Sequence, residues 1–196
     1  MILRYLLKDR RHGTYVDLGV YHPILLSNTY HFYSCGWRGL NVDVRPLAIE
    51  LCRTLRQNDV SVLAAVSDTS GETVDVFEFD PAALTTLSAE SAERYRQLSN
   101  VRFIGRSKVQ TRRLNEILDE HWSLGAIDLM SVDLEGLDER VLRSLNWNRY
   151  RPRVLCFELN EIPFEAVPDA PLVQFLKSMN YRLEARLDQS IVMALA

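Results

Sequence analysis

The chain has 196 residues, the size of one domain, and 47% of them are hydrophobic, which supplies a core and excludes a disordered polymer. A formal net charge of −3 argues against a dedicated nucleic-acid binder, whose surface is normally basic. No stretch approaches the roughly 18 apolar residues that a membrane span needs, so no membrane partner is expected.

Met1 to Leu7 is apolar but short. Lys8, Asp9, Arg10 and Arg11 then stand where a signal peptide would continue its apolar run, and a cytoplasmic protein is expected. Tyr15-Val16-Asp17-Leu18 reads as a buried strand ended by Gly19. A helical pattern covers about Ile24 to Cys35 and breaks at Gly36. Gly39 to Asp43 is a second strand, and Pro46 opens the helix that follows it. Val60 to Val66 reads as one third strand. Thr73 to Phe79 alternates apolar and polar residues, as a half-exposed strand does. Residues 81–99 read as a weakly amphipathic helix, and Val101 to Ile104 as a short strand. Thr111 is placed to cap a helix carrying Leu114, Ile117, Leu118 and Trp122. Ile127 to Val132 is a buried strand, with a helix around Asp138–Leu145 and another strand at Arg153 to Phe157. A helix near Pro171–Met179 leads into Tyr181–Arg186 and Ser190–Leu195, which Leu187-Asp188-Gln189 can join as a hairpin.

Strands that alternate with helices imply an α/β fold over residues 1–196 as a single domain. The expected form is a three-layer sandwich around a mostly parallel sheet, with an antiparallel strand added by the C-terminal hairpin. Cys35, Cys52 and Cys156 are odd in number and embedded in apolar patterns, so reduced, packed thiols are expected. His12, His22, His31 and His121 form no pair at metal-ligand spacing, and no structural zinc is assigned.

In open sheets of this kind ligands bind beyond the carboxyl ends of the strands. Those ends are acidic here: Asp17 with Gly19, then Asp43, Asp68, Asp133 with Glu135, and Glu158. Singly, each has an ordinary explanation as a turn residue, a helix cap, a dipole partner or an arginine partner. Together they form an acidic rim. Asp43 follows Gly19 by 24 residues, near the spacing at which an acid holds a ribose in dinucleotide folds. Both NAD and S-adenosylmethionine pass that test. A pyrophosphate needs several glycines and no adjacent anion, whereas Gly19-Val20-Tyr21-His22-Pro23 offers one glycine with Asp17 beside it. A sulfonium and an ammonium suit that carboxylate, so the residues favour S-adenosylmethionine.

Several segments, in order, resemble the FkbM-type S-adenosylmethionine-dependent methyltransferases. They are Tyr15 to Pro23, Leu26-Ser27-Asn28-Thr29-Tyr30, Gly36 to Asp43, Ala65-Val66-Ser67-Asp68, Ser131-Val132-Asp133-Leu134-Glu135-Gly136, and Tyr150 to Glu158. The resemblance implies a class I methyltransferase, Rossmann-like fold and methylation of a hydroxyl oxygen on a sugar or secondary metabolite. It places Asp17, Gly19, Asp43 and Asp68 at the cofactor, with Tyr21 and Ser67 from the same segments. Many members carry glycine where Pro23 stands.

A hydroxyl nucleophile needs a base near the transferred methyl. Asp133 is the leading candidate, followed by His22 and Glu135; His22 also suits a backbone-bonded turn. A metal-assisted version would use Asp133, Glu135 and Glu158 around Mg²⁺, and no metal is assigned. Arg10-Arg11, Arg112-Arg113 and Arg149-Arg151-Arg153 read as solvated, salt-bridged faces, so no nucleic-acid partner is expected. The expected partner is a small-molecule or carbohydrate acceptor. The alternatives are a nucleic-acid methyltransferase and a catalytically silent binding module. Residues 81–100 and 159–170 are the expected substrate loops. Nothing in the sequence sets the oligomeric state.

Overall fold

The architecture is taken from a computed structural model that describes residues 2–159 and 162–196. Met1 of the opening apolar run, and Asn160 and Glu161 of the 159–170 loop, lie outside the described residues. The strands are β1 (Thr14–Leu18), β2 (Arg38–Asp43), β3 (Val60–Leu63), β4 (Ala65–Ser67), β5 (Thr73–Asp80), β6 (Arg102–Arg113), β7 (Leu129–Val132), β8 (Val154–Glu158), β9 (Tyr181–Leu187) and β10 (Ser190–Leu195). Seven of them form one sheet in the order β3-β2-β1-β7-β8-β10-β9. The first five of that order run parallel, and β10 enters antiparallel between β8 and β9. This is the class I methyltransferase arrangement: a parallel sheet whose C-terminal hairpin reverses one strand.

Helices cover both faces: α1 (Ile2–Leu6), α2 (Tyr30–Ser34), α3 (Pro46–Leu55), α4 (Ala89–Arg96), α5 (Leu114–His121), α6 (Asp138–Ser144) and α7 (Pro171–Ser178). The two-residue period of a strand sorts the side chains. Val16, Leu18, Leu40, Val42, Met130 and Val132 point to one face and pack with Ile117 of α5, Leu142 of α6 and Leu176 of α7. Tyr15 and Leu129 point to the other, against Leu3 of α1, Phe32 of α2 and Trp37. Each such buried aliphatic side chain contributes about 1.5–3 kcal/mol relative to exposure. By the same alternation Asp17, Asn41, Asp43, Ser131 and Asp133 fall on the α2–α3 face, toward the carboxyl ends of their strands.

Six readings are corrected by the fold. The stretch 24–29 is not helical, and only α2 forms within 24–35. His22 Nδ1 accepts the N–H groups of Ile24 and Leu25, and Leu26 takes φ +55, so the backbone is committed to turns there. The single strand 60–66 is two strands: β3 pairs with β2, while β4 pairs with β6 in a second, three-stranded sheet ordered β4-β6-β5. The helix expected over 81–99 is a 3₁₀ turn at Ala82–Leu84 followed by α4, which Ser88 caps through the N–H of Ser91. The short strand at 101–104 extends through Arg113, because β5 pairs with it along its length. Thr111 therefore lies inside β6, and α5 starts without a side-chain cap. Cys52 and Cys156 are buried, but Cys35 is exposed at the end of α2 and is not a packed thiol.

One charged side chain organises the α2–α3 face. Arg56, just past α3, is completely buried. It donates to the carbonyl of Pro23, to Ser27 Oγ at 2.7 Å, and to Thr29 Oγ1 and Asn41 Oδ1 at 2.8 Å each. Its guanidinium lies 3.5 Å from Asp17 Oδ2. The non-helical loop 23–29 is thus bolted to β1 and β2 through one side chain. Truncating one partner of a buried charged network leaves the others unpaired, at a cost of about 3–5 kcal/mol. Arg56→Ala is expected to lose stability in that range in urea unfolding.

Candidate active site

Close approach of three strand ends makes a cleft. The N–H of Gly19 donates to Val42 O at 2.8 Å, and the N–H of Asp133 donates to Leu18 O at 3.0 Å. Gly19 takes φ +76, and a Cβ there would sit 1.8 Å from Asp133 O, so only glycine fits between the loops after β1 and β7. The resulting cleft, about 120 Å³, is lined by Asp17, Gly19, Tyr21, Asp43, Asp133 and Glu135. Asn28 and Ser131 join them, with Asn28 Nδ2 donating to Ser131 Oγ at 3.2 Å. Tyr21, Leu26 and Glu135, three of the non-glycine residues at positive φ, all line it. Such conformations are strained and concentrate at functional sites.

The acids are held in different ways. Asp17 is buried, accepts the hydroxyl of Thr29, and is paired with Arg56; burial nonetheless raises its pKa. Asp43 receives four donors: the N–H of Tyr21, the N–H of Arg45, and Nε and Nη2 of Arg45. The Arg45 guanidinium also lies 5.0 Å from the Tyr21 ring centre. Ser67 ends β4 and Asp68 follows it, but neither lines the cleft. Asp68 accepts from Ser67 Oγ and pairs with Arg140 at 2.7 Å. His22 is also off the cleft wall and lines a neighbouring apolar cavity of about 770 Å³, with Nδ1 already accepting two backbone N–H groups.

The loop after β7 and its neighbours hold several carboxyl groups whose proton affinity is raised. Asp133 Oδ1 is buried and has no hydrogen-bond partner. Burial raises the Asp133 pKa well above the ordinary carboxylate range, and the charges of Glu158, Glu135, Asp138 and Asp17 push it the same way. Glu135 accepts the hydroxyl of Tyr95; burial pushes it up to about 7. Asp138 accepts the N–H groups of Leu134 and Glu158 at 3.2 Å each, tying the β7 loop to the end of β8, and burial pushes it to about 7. Burial and the charge of Asp188 raise Glu158. Among the described residues, no group of three or more His, Cys, Asp or Glu side chains is arranged to hold a metal ion.

A family model for the methyltransferase FkbM domain matches residues 17–183. The chain belongs to that family. The FkbM match spans the cleft residues and runs from within β1 to within β9, with β10 beyond it. Among solved structures, the chain is similar to a precorrin-6y C5,15-methyltransferase from Geobacter metallireducens. The identity is 11% and the TM-score 0.49, covering 100% of this chain and 86% of that one. It is also similar to a TehB-like SAM-dependent methyltransferase from Corynebacterium glutamicum, at 11% identity and TM-score 0.42, covering 99% and 87%. No curated protein matches the sequence. The family implies S-adenosylmethionine as methyl donor, and the residues present fit such a cation. The cleft holds four carboxylates, one with a buried oxygen still free to accept, and its single-glycine turn is unlike a pyrophosphate cradle.

Sequence reasoning missed Arg56, Arg45, Tyr95, Thr86 and Asp138. Arg56 gives no local signal, since an arginine ending a helix normally reads as solvated. Tyr95 and Thr86 belong to the crossing between β5 and β6, whose sequence carries no motif. Arg112 and Arg113 do pair, with Glu120 and Glu116, and Arg149 pairs with Asp119. No helix among the described residues is long and apolar enough to cross a membrane.

The carboxylate cluster sets a pH dependence. Glu135 and Asp138 titrate near 7 when folded against ordinary values of 4.5 and 3.8, so the folded chain binds more protons between about 4 and 7. Stability from these groups is fully present below the unfolded values and is lost as pH rises through about 7. The thermal midpoint is expected to fall by several degrees between about pH 5 and pH 8, and Glu135→Gln should flatten that slope in scanning calorimetry.

Proposed function

We propose that this protein transfers a methyl group from S-adenosylmethionine to a hydroxyl oxygen of a small-molecule or carbohydrate acceptor, with Asp133 accepting the hydroxyl proton. The observation that carries this reading is the free, buried Asp133 Oδ1 in the cleft. When bound, S-adenosylmethionine supplies an electrophilic methyl on a sulfonium, and the protein's part is position and electrostatics. Gly19 lets the backbone approach closely, and the carboxylates of Asp17 and Asp43 suit the cationic and ribose portions. Asp43 already has as many donors as a carboxylate readily accepts. A ribose bound there would compete with the Arg45 guanidinium for the Asp43 carboxylate.

The same electrostatics rank the bases. Asp133 lies among carboxylates that raise its proton affinity, as a general base near neutral pH requires. Glu135 is held by Tyr95, and His22 has spent Nδ1 on the backbone outside the cleft wall. The acceptor hydroxyl is methylated on the oxygen that faces Asp133, and its proton passes to Oδ1.

Calorimetry is expected to detect S-adenosylmethionine and not NAD; tight NAD binding alone would remove this reading. Asp43→Ala should weaken cofactor binding by about 1.5–3 kcal/mol, the range for hydrogen bonds to a charged group, in a folded protein. Asp133→Asn keeps the shape but takes no proton. It should lower kcat about 10²–10⁴-fold with little change in cofactor affinity, measured by saturating methyl transfer to a panel of sugars and metabolites. Lost affinity with an intact kcat would instead make Asp133 a scaffold.

A further inference from the structure

The crossing between β5 and β6 runs over the cleft, with Ala83, Thr85, Thr86 and Leu87 in its wall. It is docked on the Asp133-Leu134-Glu135-Gly136 loop at three places. Thr86 Oγ1 donates to Glu135 O at 2.9 Å. Ser91 Oγ lies where a Cβ on Gly136 would approach to 2.5 Å, so this glycine at φ +104 lets α4 come down onto the loop. The hydroxyl of Tyr95, on the last turn of α4, donates to Glu135 Oε2. The Tyr95 ring is buried independently of that bond, edge-on to Phe79 at 5.8 Å. Its hydroxyl is thus a separable element: the ring serves packing, and the oxygen serves Glu135.

We propose that Tyr95 is a positioning residue of the site. Its hydroxyl holds the Glu135 carboxylate on the α4 side and fastens the 81–101 crossing over the cleft, leaving Asp133 as the carboxylate free to face the acceptor. This rests on the methyl-transfer reading given above. Glu135 takes φ +51, which an L-residue rarely adopts, and the Tyr95 and Thr86 contacts fix its side chain and carbonyl in that conformation. The charged and titratable groups facing Glu135 are Tyr95 and Arg94 from α4, Glu158 from β8, and Asp133 of its own loop. Tyr95 and Arg94 favour the ionised carboxylate, whereas Glu158 opposes it. Burial raises the phenol pKa, so Tyr95 stays a neutral donor throughout the working range.

Tyr95→Phe deletes the donor and keeps the ring. With the anion losing a hydrogen bond, the Glu135 side-chain ¹³C carboxyl resonance should titrate about one pH unit higher than in the wild type. Amides of 81–101 should exchange with deuterium about tenfold faster, with exchange in the β1 and β7 core unchanged. Both readouts use the protein without cofactor or acceptor. An absence of methyl transfer in the wild type would therefore count against the reaction and leave the contact standing. Glu135→Gly removes the carboxylate and relieves the positive φ. It should speed exchange over 81–101 as Tyr95→Phe does, and the double variant should exchange no faster than either single one. A folded Tyr95→Phe protein with an unmoved Glu135 midpoint and wild-type exchange over 81–101 overturns the proposal, as does full additivity of the two substitutions.

Discussion

Arg56 carries a full positive charge into a place without water, and the geometry of the cleft follows from how that charge is satisfied. Its donors reach loop 23–29, Asn41 of β2 and Asp17 of β1 together. A loop with exposed Leu25 and Leu26 has little apolar surface of its own to bury, so polar bonds must hold it down. Asp17 gains a counter-charge from the same residue. That pairing tempers what Asp17 can offer a ligand, whereas Asp133 across the cleft has no cationic partner among the causes of its shift.

That wall works by crowding. Asp133, Glu135, Asp138 and Glu158 come together where the β7 and β8 ends meet; the last three each raise the proton affinity of Asp133, and Glu158 also raises that of Glu135 and Asp138. The chain accepts this because two of the four are tied by hydrogen bonds: Asp138 to the N–H groups of Leu134 and Glu158, and Glu135 to Tyr95. Asp133 is left with an oxygen unsatisfied. Carboxylates in one cluster thereby differ in how they are satisfied, through partners on α4 and β8 as well as in the loop itself.

Short, largely apolar runs made the central strands legible. Tyr15–Leu18, Gly39–Asp43 and Val154–Phe157 lie in buried parallel strands, and a strand buried on both faces is mostly apolar along its length. Regions satisfied by polar contacts were not legible. Loop 24–29 has a helical spacing of apolar residues, but backbone bonds to His22 and Ser27 compete successfully with the helix. Val60–Val66 is one run of strand-forming residues whose division depends on a change of partner from β2 to β6, which no local signal carries.

The sequence by itself determined which residues could be strand ends and that those ends would be acidic, since period and residue type are local properties. It also carried the ordered motifs of the FkbM family. The tertiary structure alone decided which acids share a cleft and what each is free to do. Asp17, Asp43, Asp133 and Glu135 line it, whereas Asp68 turns to Arg140 and His22 to its own loop. A carboxylate's basicity depends on its burial and on charges within a few ångströms, and those neighbours come from β8, α3 and α4, far away along the chain.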